Sequence, residues 1–341
     1  MHTGEIRDVF RRFLVVLLTL GVILTAGFYM LKRPDISYNT LESVYSYNDS
    51  RYLKSGGETQ IHFRDIGPRD APVIVLVHGY AASMQTWDDW VKRLRRDYRV
   101  ISLDLPGHGL SRCVDNDAIG IEQFVDTVDR VVTTVDVRNF TLVGSSMGGQ
   151  TAWAYALEYP EKLDGLVLVD AAGWPDEKGE GDSDPLIFKL LRNGAARKLM
   201  KDLDLSALIR SGLEKGFADP TLVDDQMVER YSALSRAPCH REALLKLMSG
   251  ATKRVPATKE TLARIDVPTL VMQGEADNII PAAHGRKFAD AIPGAQLKLY
   301  PNVGHIPQEE ISEASADDLK AFLSGIYAAP EPAEAAPTEG E

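Results

Sequence analysis

The run Gly144-Ser145-Ser146-Met147-Gly148-Gly149 follows the apolar stretch Thr141–Gly144 and leads into a helical pattern over Gln150–Glu158. A GxSxG sequence in a strand–turn–helix setting places a serine hydroxyl where it can act as a nucleophile. The turn is tight, so side chains two residues to either side of the serine would collide. Gly144 and Gly148 remove those collisions. Ser146 Oγ is left exposed at a helix N-terminus, where the dipole favours developing negative charge. Ser145 lies outside this register and is expected to pack or hydrogen-bond locally.

A serine nucleophile needs a general base. The chain has seven histidines, at 2, 62, 78, 108, 240, 284 and 305. His305 lies in Asn302-Val303-Gly304-His305-Ile306, a loop after the last apolar run and the best placed of them. His78 and His108 sit in glycine-containing turns and are expected to bond the backbone, while His284 reads as helical surface. The base in turn needs a carboxylate that orients it and stabilises its charged form. Asp277, in Gln273-Gly274-Glu275-Ala276-Asp277, is the prime choice. Asp170, which ends another apolar run, is the rival, and Glu275 is less favourably placed. The oxyanion needs two preorganised donors. Met147 N–H, just after the serine, and Tyr80 N–H, in His78-Gly79-Tyr80 after Val73–Val77, are the candidates. This chemistry calls for no metal and no organic cofactor. With Cys113 and Cys239 as its two cysteines, the chain can form neither a four-thiolate zinc site nor a CxxC redox motif.

The elements that must carry these residues are legible as short apolar runs. Val73–Val77, Arg99–Leu103, Thr141–Gly144, Gly165–Asp170 and Thr269–Gln273 read as buried parallel strands, and Gln296–Tyr300 as a more alternating one. Helical patterns such as Ile121–Val135 fall between them. The alternation predicts an α/β fold with a mostly parallel, doubly wound sheet, whose chemistry sits outside the carboxyl ends of the strands. The interval from Asp170 to Thr269 breaks the rhythm. Its amphipathic stretches, Leu186–Leu203 and Pro220–Leu234, predict a helical cap inserted at about 174–258.

The chain has 341 residues, 44% of them hydrophobic, and a net charge of −11. That composition excludes wholesale disorder, and the acidic balance speaks against nucleic acid as a partner. The charge is uneven. Residues 1–33 hold five basic and two acidic side chains, whereas 328–341 hold four Glu and no base. Phe13–Leu31 carries no charge and would span roughly 28 Å as a helix, close to a bilayer core. A core helix would show a polar stripe, which this run lacks. A cleaved signal peptide would have a shorter apolar region, and Thr25-Ala26-Gly27 is a poor cleavage site. The reading is a single-pass signal-anchor through residues 13–31, with the catalytic domain (34–327) on the non-cytoplasmic side. The Pro-, Ala- and Glu-rich tail from 328 onward is expected to be disordered.

Taken together, His78-Gly79, the turn Asp104–Ser111, Gly144–Gly149, Gly274–Asp277 and Gly304-His305 make the chain resemble the α/β-hydrolase superfamily over roughly residues 58–327. With the anchor and the VGSSMGGQ run, it looks most like membrane-anchored monoacylglycerol lipases and small bacterial lipases or esterases. The resemblance implies a serine hydrolase acting on small-molecule or lipid esters, and a structural role for Asp104–Ser111. Relatives with an Asp nucleophile are excluded by Ser146. Carbon–carbon bond hydrolases of the meta-cleavage-product type share the triad and stay open, as does an inactive, membrane-tethered binding scaffold.

Overall fold

Val-, Ile- and Leu-rich runs too short for helices become the central strands of one eight-stranded sheet. The structure is a computed structural model and describes residues 2–54, 59–112, 119–175, 193–249 and 256–328. In chain order the strands are β1 (Arg51–Lys54), β2 (Gln60–Ile66), β3 (Val73–Val77), β4 (Arg99–Leu103), β5 (Phe140–Ser145), β6 (Leu163–Val169), β7 (Thr269–Gly274) and β8 (Gln296–Tyr300). Their spatial order is β1-β2-β4-β3-β5-β6-β7-β8. From β4 to β8 every pairing is parallel, and β1 and β2 join antiparallel at one edge.

The helices are α1 (His2–Leu31), α2 (Tyr38–Tyr45), α3 (Asp88–Leu94), α4 (Ile121–Thr134), α5 (Met147–Glu158), α6 (Gly194–Met200), α7 (Ser206–Gly216), α8 (Asp225–Ser235), α9 (His240–Met248), α10 (Lys259–Leu262), α11 (Ala282–Ala291), α12 (Pro307–Glu310) and α13 (Ser312–Tyr327). Both faces of the sheet are covered, as a parallel sheet requires. On one face Phe124 of α4, Trp153 of α5 and Phe288 of α11 pack on Val75 and Leu142. On the other, Trp90 and Leu94 of α3 and Leu319 and Leu323 of α13 pack on Ile74, Leu76 and Val143. Between β6 and β7 the described residues form the helices α6–α10 and no strand, in keeping with an inserted cap. Part of the expected Leu186–Leu203 helix, Cys113 and the tail from 329 lie outside the described residues.

The structure adds two strands that the sequence pattern did not mark, and it corrects one expectation. The edge strands β1 and β2 do not announce themselves as apolar runs, because β2 buries polar residues. Arg64 pairs with Asp49 at 2.8 Å, and Asp65 pairs with Arg99 at 2.8 Å. His284 is not surface: α11 turns it inward, and it is buried.

The Asp104–Ser111 turn is structural, as the resemblance implies. Asp104 is fully buried and accepts from Met84 N at 2.7 Å, Leu110 N at 2.8 Å and His62 Nδ1 at 2.7 Å. Burial alone would raise its carboxyl, but the bond and charge of His62 outweigh that and hold it below the usual range. Asp104→Ala would strand three buried donors. It is expected to cost about 3 kcal/mol of stability or more, measured as a lower midpoint in urea unfolding.

Candidate active site

The turn that carries Ser146 is built by crowding. Ser146 caps α5 with φ 53° and ψ −115°, outside the ordinary regions for an L-residue. Its N–H donates to Val169 O at 2.9 Å, and its carbonyl accepts from Gln150 N and Ala172 N, each at 3.0 Å. A Cβ on Gly144 would stand 2.1 Å from Gly148 O, so α5 can start only against a glycine. A Cβ on Gly148 would stand 2.2 Å from Val77 O; this glycine serves the approach of α5 to β3 rather than clearance around the serine. Ser145 is buried, and its Oγ accepts from Gln308 Nε2 at 3.3 Å.

Met147 is the first residue of α5, so its N–H has no acceptor within the helix and points to the space ahead of it. The loop after β3 comes in from the side. A Cβ on Gly79 would lie 3.1 Å from Ser146 Cβ, which puts Tyr80 beside the serine. Tyr80 OH donates to Leu244 O of α9 at 3.1 Å, tying this loop to the inserted helices.

His305 follows β8 and faces the same cavity as Ser146 and Tyr80. Its Nδ1 donates to Asp277 Oδ2 at 2.7 Å. Asp277 Oδ1 accepts from Ile279 N at 2.7 Å and Ile280 N at 2.9 Å, so the carboxylate is held from both sides. The imidazole therefore meets Asp277 and not its rival. Asp170 is fully buried, and its Oδ1 is engaged by Gly274 N at 2.8 Å and Gln273 Nε2 at 2.7 Å. Burial first, and the charge of Asp277 second, push the Asp170 carboxyl well above the usual range. Ligand atoms of Asp170, Asp277 and His305 lie within 4.8 Å of one another. With the His305 nitrogen bonded to Asp277 and Asp170 Oδ1 already accepting twice, the cluster fits proton handling better than metal ligation. His78 and His108 bond backbone carbonyls of Gly79 and Pro106, as their turns imply.

Sequence reasoning missed Glu310. It accepts from Gly304 N at 2.6 Å with one oxygen and from Ala218 N at 3.0 Å and Asp219 N at 3.2 Å with the other. His305 N also donates to Gly216 O at 2.5 Å. The histidine loop is thus clamped to the end of α7. No motif marks Glu310, because its donors are backbone groups brought in from distant segments.

The cavity in front of Ser146 measures about 310 Å³. Leu208 and Leu213 of α7, Leu244, Leu245 and Met248 of α9, and Ile306 line it. The described residues lining it include no Lys or Arg.

A profile of the alpha/beta hydrolase fold matches residues 72–310, and the chain belongs to that family of hydrolases. Over 280 residues it is 28% identical to a 2-hydroxy-6-oxononadienedioate/2-hydroxy-6-oxononatrienedioate hydrolase of Paraburkholderia phymatum, covering 80% of this chain and 93% of that one. In structure it is similar to a bacterial membrane phospholipase A, with a TM-score of 0.69 and 23% identity, covering 94% of this chain and all of the other. It is similar too to a lipase described as putative from Acinetobacter baumannii, with a TM-score of 0.67 and 23% identity, covering 86% of this chain and 98% of the other. At that identity the two structures speak to the fold alone.

Two outcomes are expected at this site. Glu310→Ala should lower kcat by between about tenfold and a hundredfold through misplacement of the imidazole, with the fold retained by circular dichroism. Asp170 binds its proton to higher pH in the native chain than in the unfolded chain, where its value is about 3.9. Its stabilising contribution is present below that value and is lost as pH rises through the raised native value. Asp170→Asn should flatten that fall in a pH series of urea midpoints.

Proposed function

We propose that the chain is a membrane-anchored serine hydrolase that cleaves carboxylic esters through an acyl-enzyme on Ser146. The observation that carries this reading is the convergence of Ser146 and the His305–Asp277 pair on one strongly apolar cavity. His305 Nε2 takes the Ser146 proton as Oγ attacks the ester carbonyl. Asp277 holds Nδ1–H and stabilises the imidazolium. The N–H groups of Tyr80 and Met147 receive the oxyanion. His305 then protonates the leaving alcohol, and the same groups activate water to release the acid.

The anchor reading rests on Phe10–Leu31 of α1, a 22-residue stretch of helix, predominantly apolar, whose apolar core is not buried in the protein. Cys239 is disulfide-bonded, which fits a catalytic domain in an oxidising compartment across the membrane from a cytoplasmic N-terminus.

A second reading is a carbon–carbon hydrolase, favoured by the relative that acts on dienedioates. A dioate has two carboxylates to be bound, and a cavity wall without Lys or Arg among its described residues suits an acyl chain better. Turnover of p-nitrophenyl esters against that of a dienedioate ring-fission product separates the two.

Wild-type enzyme should be labelled by a fluorophosphonate probe and Ser146→Ala should not; equal labelling would move the nucleophile elsewhere. Asp277→Asn should lower kcat by a factor of about 10³ to 10⁴ while the protein stays folded. Near-normal rates would reassign the acid to Asp170. Removing residues 1–33 should yield a soluble protein that still turns over p-nitrophenyl butyrate.

A further inference from the structure

Beside Ser146 and His305, the described wall of the cavity carries six polar side chains, yet it offers a ligand almost no hydrogen-bond donor. Tyr80 OH donates to Leu244 O at 3.1 Å, and Ser235 Oγ donates to Ser232 O at 2.8 Å. Thr86 Oγ1 and Tyr231 OH both donate to Glu309 Oε1, at 2.6 and 2.8 Å. With its hydrogen spent there, Thr86 Oγ1 can only accept, so Gln308 turns its amide nitrogen toward it at 3.2 Å. The second amide hydrogen of Gln308 goes to Ser145 Oγ at 3.3 Å. Ser145, next to Ser146, is left with a hydrogen that no acceptor among the described residues takes.

Two of these hydroxyls depend on one carboxylate that does not itself line the cavity. Glu309 stands behind Thr86 and Tyr231 with its side chain 11% exposed, and its Oε2 accepts from Arg230 Nη2 of α8 at 2.9 Å. Burial first, and the charge of Glu309 second, push the Tyr231 phenol up, so it stays a neutral donor. Buried hydroxyls need a partner. Without Glu309, those of Thr86 and Tyr231 would be available to whatever fills the cavity; with it, they are spent behind the wall.

We propose that Glu309 is a positioning residue that sets acyl selectivity. By holding the hydroxyls of Thr86 and Tyr231 behind the wall, it makes the cavity select plain hydrocarbon chains over chains that carry a keto or carboxylate oxygen. Such an oxygen leaves water on entry and meets no free donor along the wall, so the chain bears the cost of desolvation. This deepens the esterase reading above and rests on it: the substrate is an ester of an unsubstituted aliphatic acid.

The test uses the full chain in detergent with p-nitrophenyl 6-methylheptanoate and p-nitrophenyl 6-oxoheptanoate, which differ by a keto oxygen in place of a methyl group. The readout is the ratio of their kcat/KM values, which a merely structural loss would lower in both and leave unchanged as a ratio. The wild type should favour the methyl ester by about tenfold or more. Glu309→Leu with Arg230→Met removes the acceptor and its ion-pair partner together, so no charge is stranded. The freed hydroxyls can then donate to the keto oxygen, and the two esters should be cleaved at similar rates. Glu309→Gln with Arg230→Met keeps an amide oxygen for both hydroxyls and should keep the wild-type ratio. Glu309→Asp keeps the charge for Arg230 but withdraws the acceptor by one methylene; it should lower the ratio part of the way, and it serves where a double variant does not fold. A wild type that hydrolyses neither ester, or whose Ser146→Ala variant hydrolyses them as fast, fails the esterase reading and this proposal with it. An active wild type without the preference, a preference kept by every folded Glu309 variant, or one lost equally in the Gln variant overturns this proposal alone.

Discussion

The strained backbone of Ser146 is the constraint on which the rest of the site depends. A non-glycine residue at φ 53° and ψ −115° costs on the order of 1–3 kcal/mol and would relax if its surroundings allowed. They do not. β5 lies in the middle of the sheet between β3 and β6, and the turn is bonded to Val169 and Ala172 at the end of β6. Relaxing the serine would mean opening a parallel ladder buried on both faces. The strain is thereby fixed at the carboxyl edge of the sheet, where the loops after β3, β7 and β8 also arrive.

Around that point two carboxyls lie in different surroundings. Asp277 accepts from His305 Nδ1 and from the backbone N–H groups of Ile279 and Ile280. Asp170 is sealed behind it, and burial first and the charge of Asp277 second push its carboxyl well above the usual range. Asp277 thus faces the imidazole, and Asp170 stands behind it without meeting the ring.

The inserted helices act as more than a roof. Gly216 O and Glu310 join the end of α7 to the histidine loop, Tyr80 joins α9 to the loop beside the serine, and residues 31–36 join the segment before α7, the end of α8 and α9 to α1. The cavity wall, the His305 loop and the 31–36 strap thus share one support. A displacement of α7 would reach His305 through two hydrogen-bonded contacts, so the placement of α7 and the geometry of the His305–Asp277 pair are mechanically linked.

Features written in local pattern could be read without coordinates. The GxSxG turn, the apolar runs of β3 to β7, the unbroken apolar span and the cap interval each depend on neighbours in sequence, through turn sterics or hydrophobic periodicity. The candidates Ser146, Asp277, His305, Tyr80 and Met147 came from such patterns, and the fold brings them to one edge of the sheet. What the pattern left open was decided by contacts between distant segments. Asp170 and Asp277 both end strand runs, and only the approach of the β8 loop selects between them. β2 hides its identity in buried ion pairs, and α11 turns His284 inward. Glu310 reaches the backbone of Ala218 and Asp219 across 92 and 91 residues, and the 31–36 strap bonds groups farther away still. Backbone donors and acceptors are the same at every residue, so a sequence carries no mark of which ones a fold will bring together.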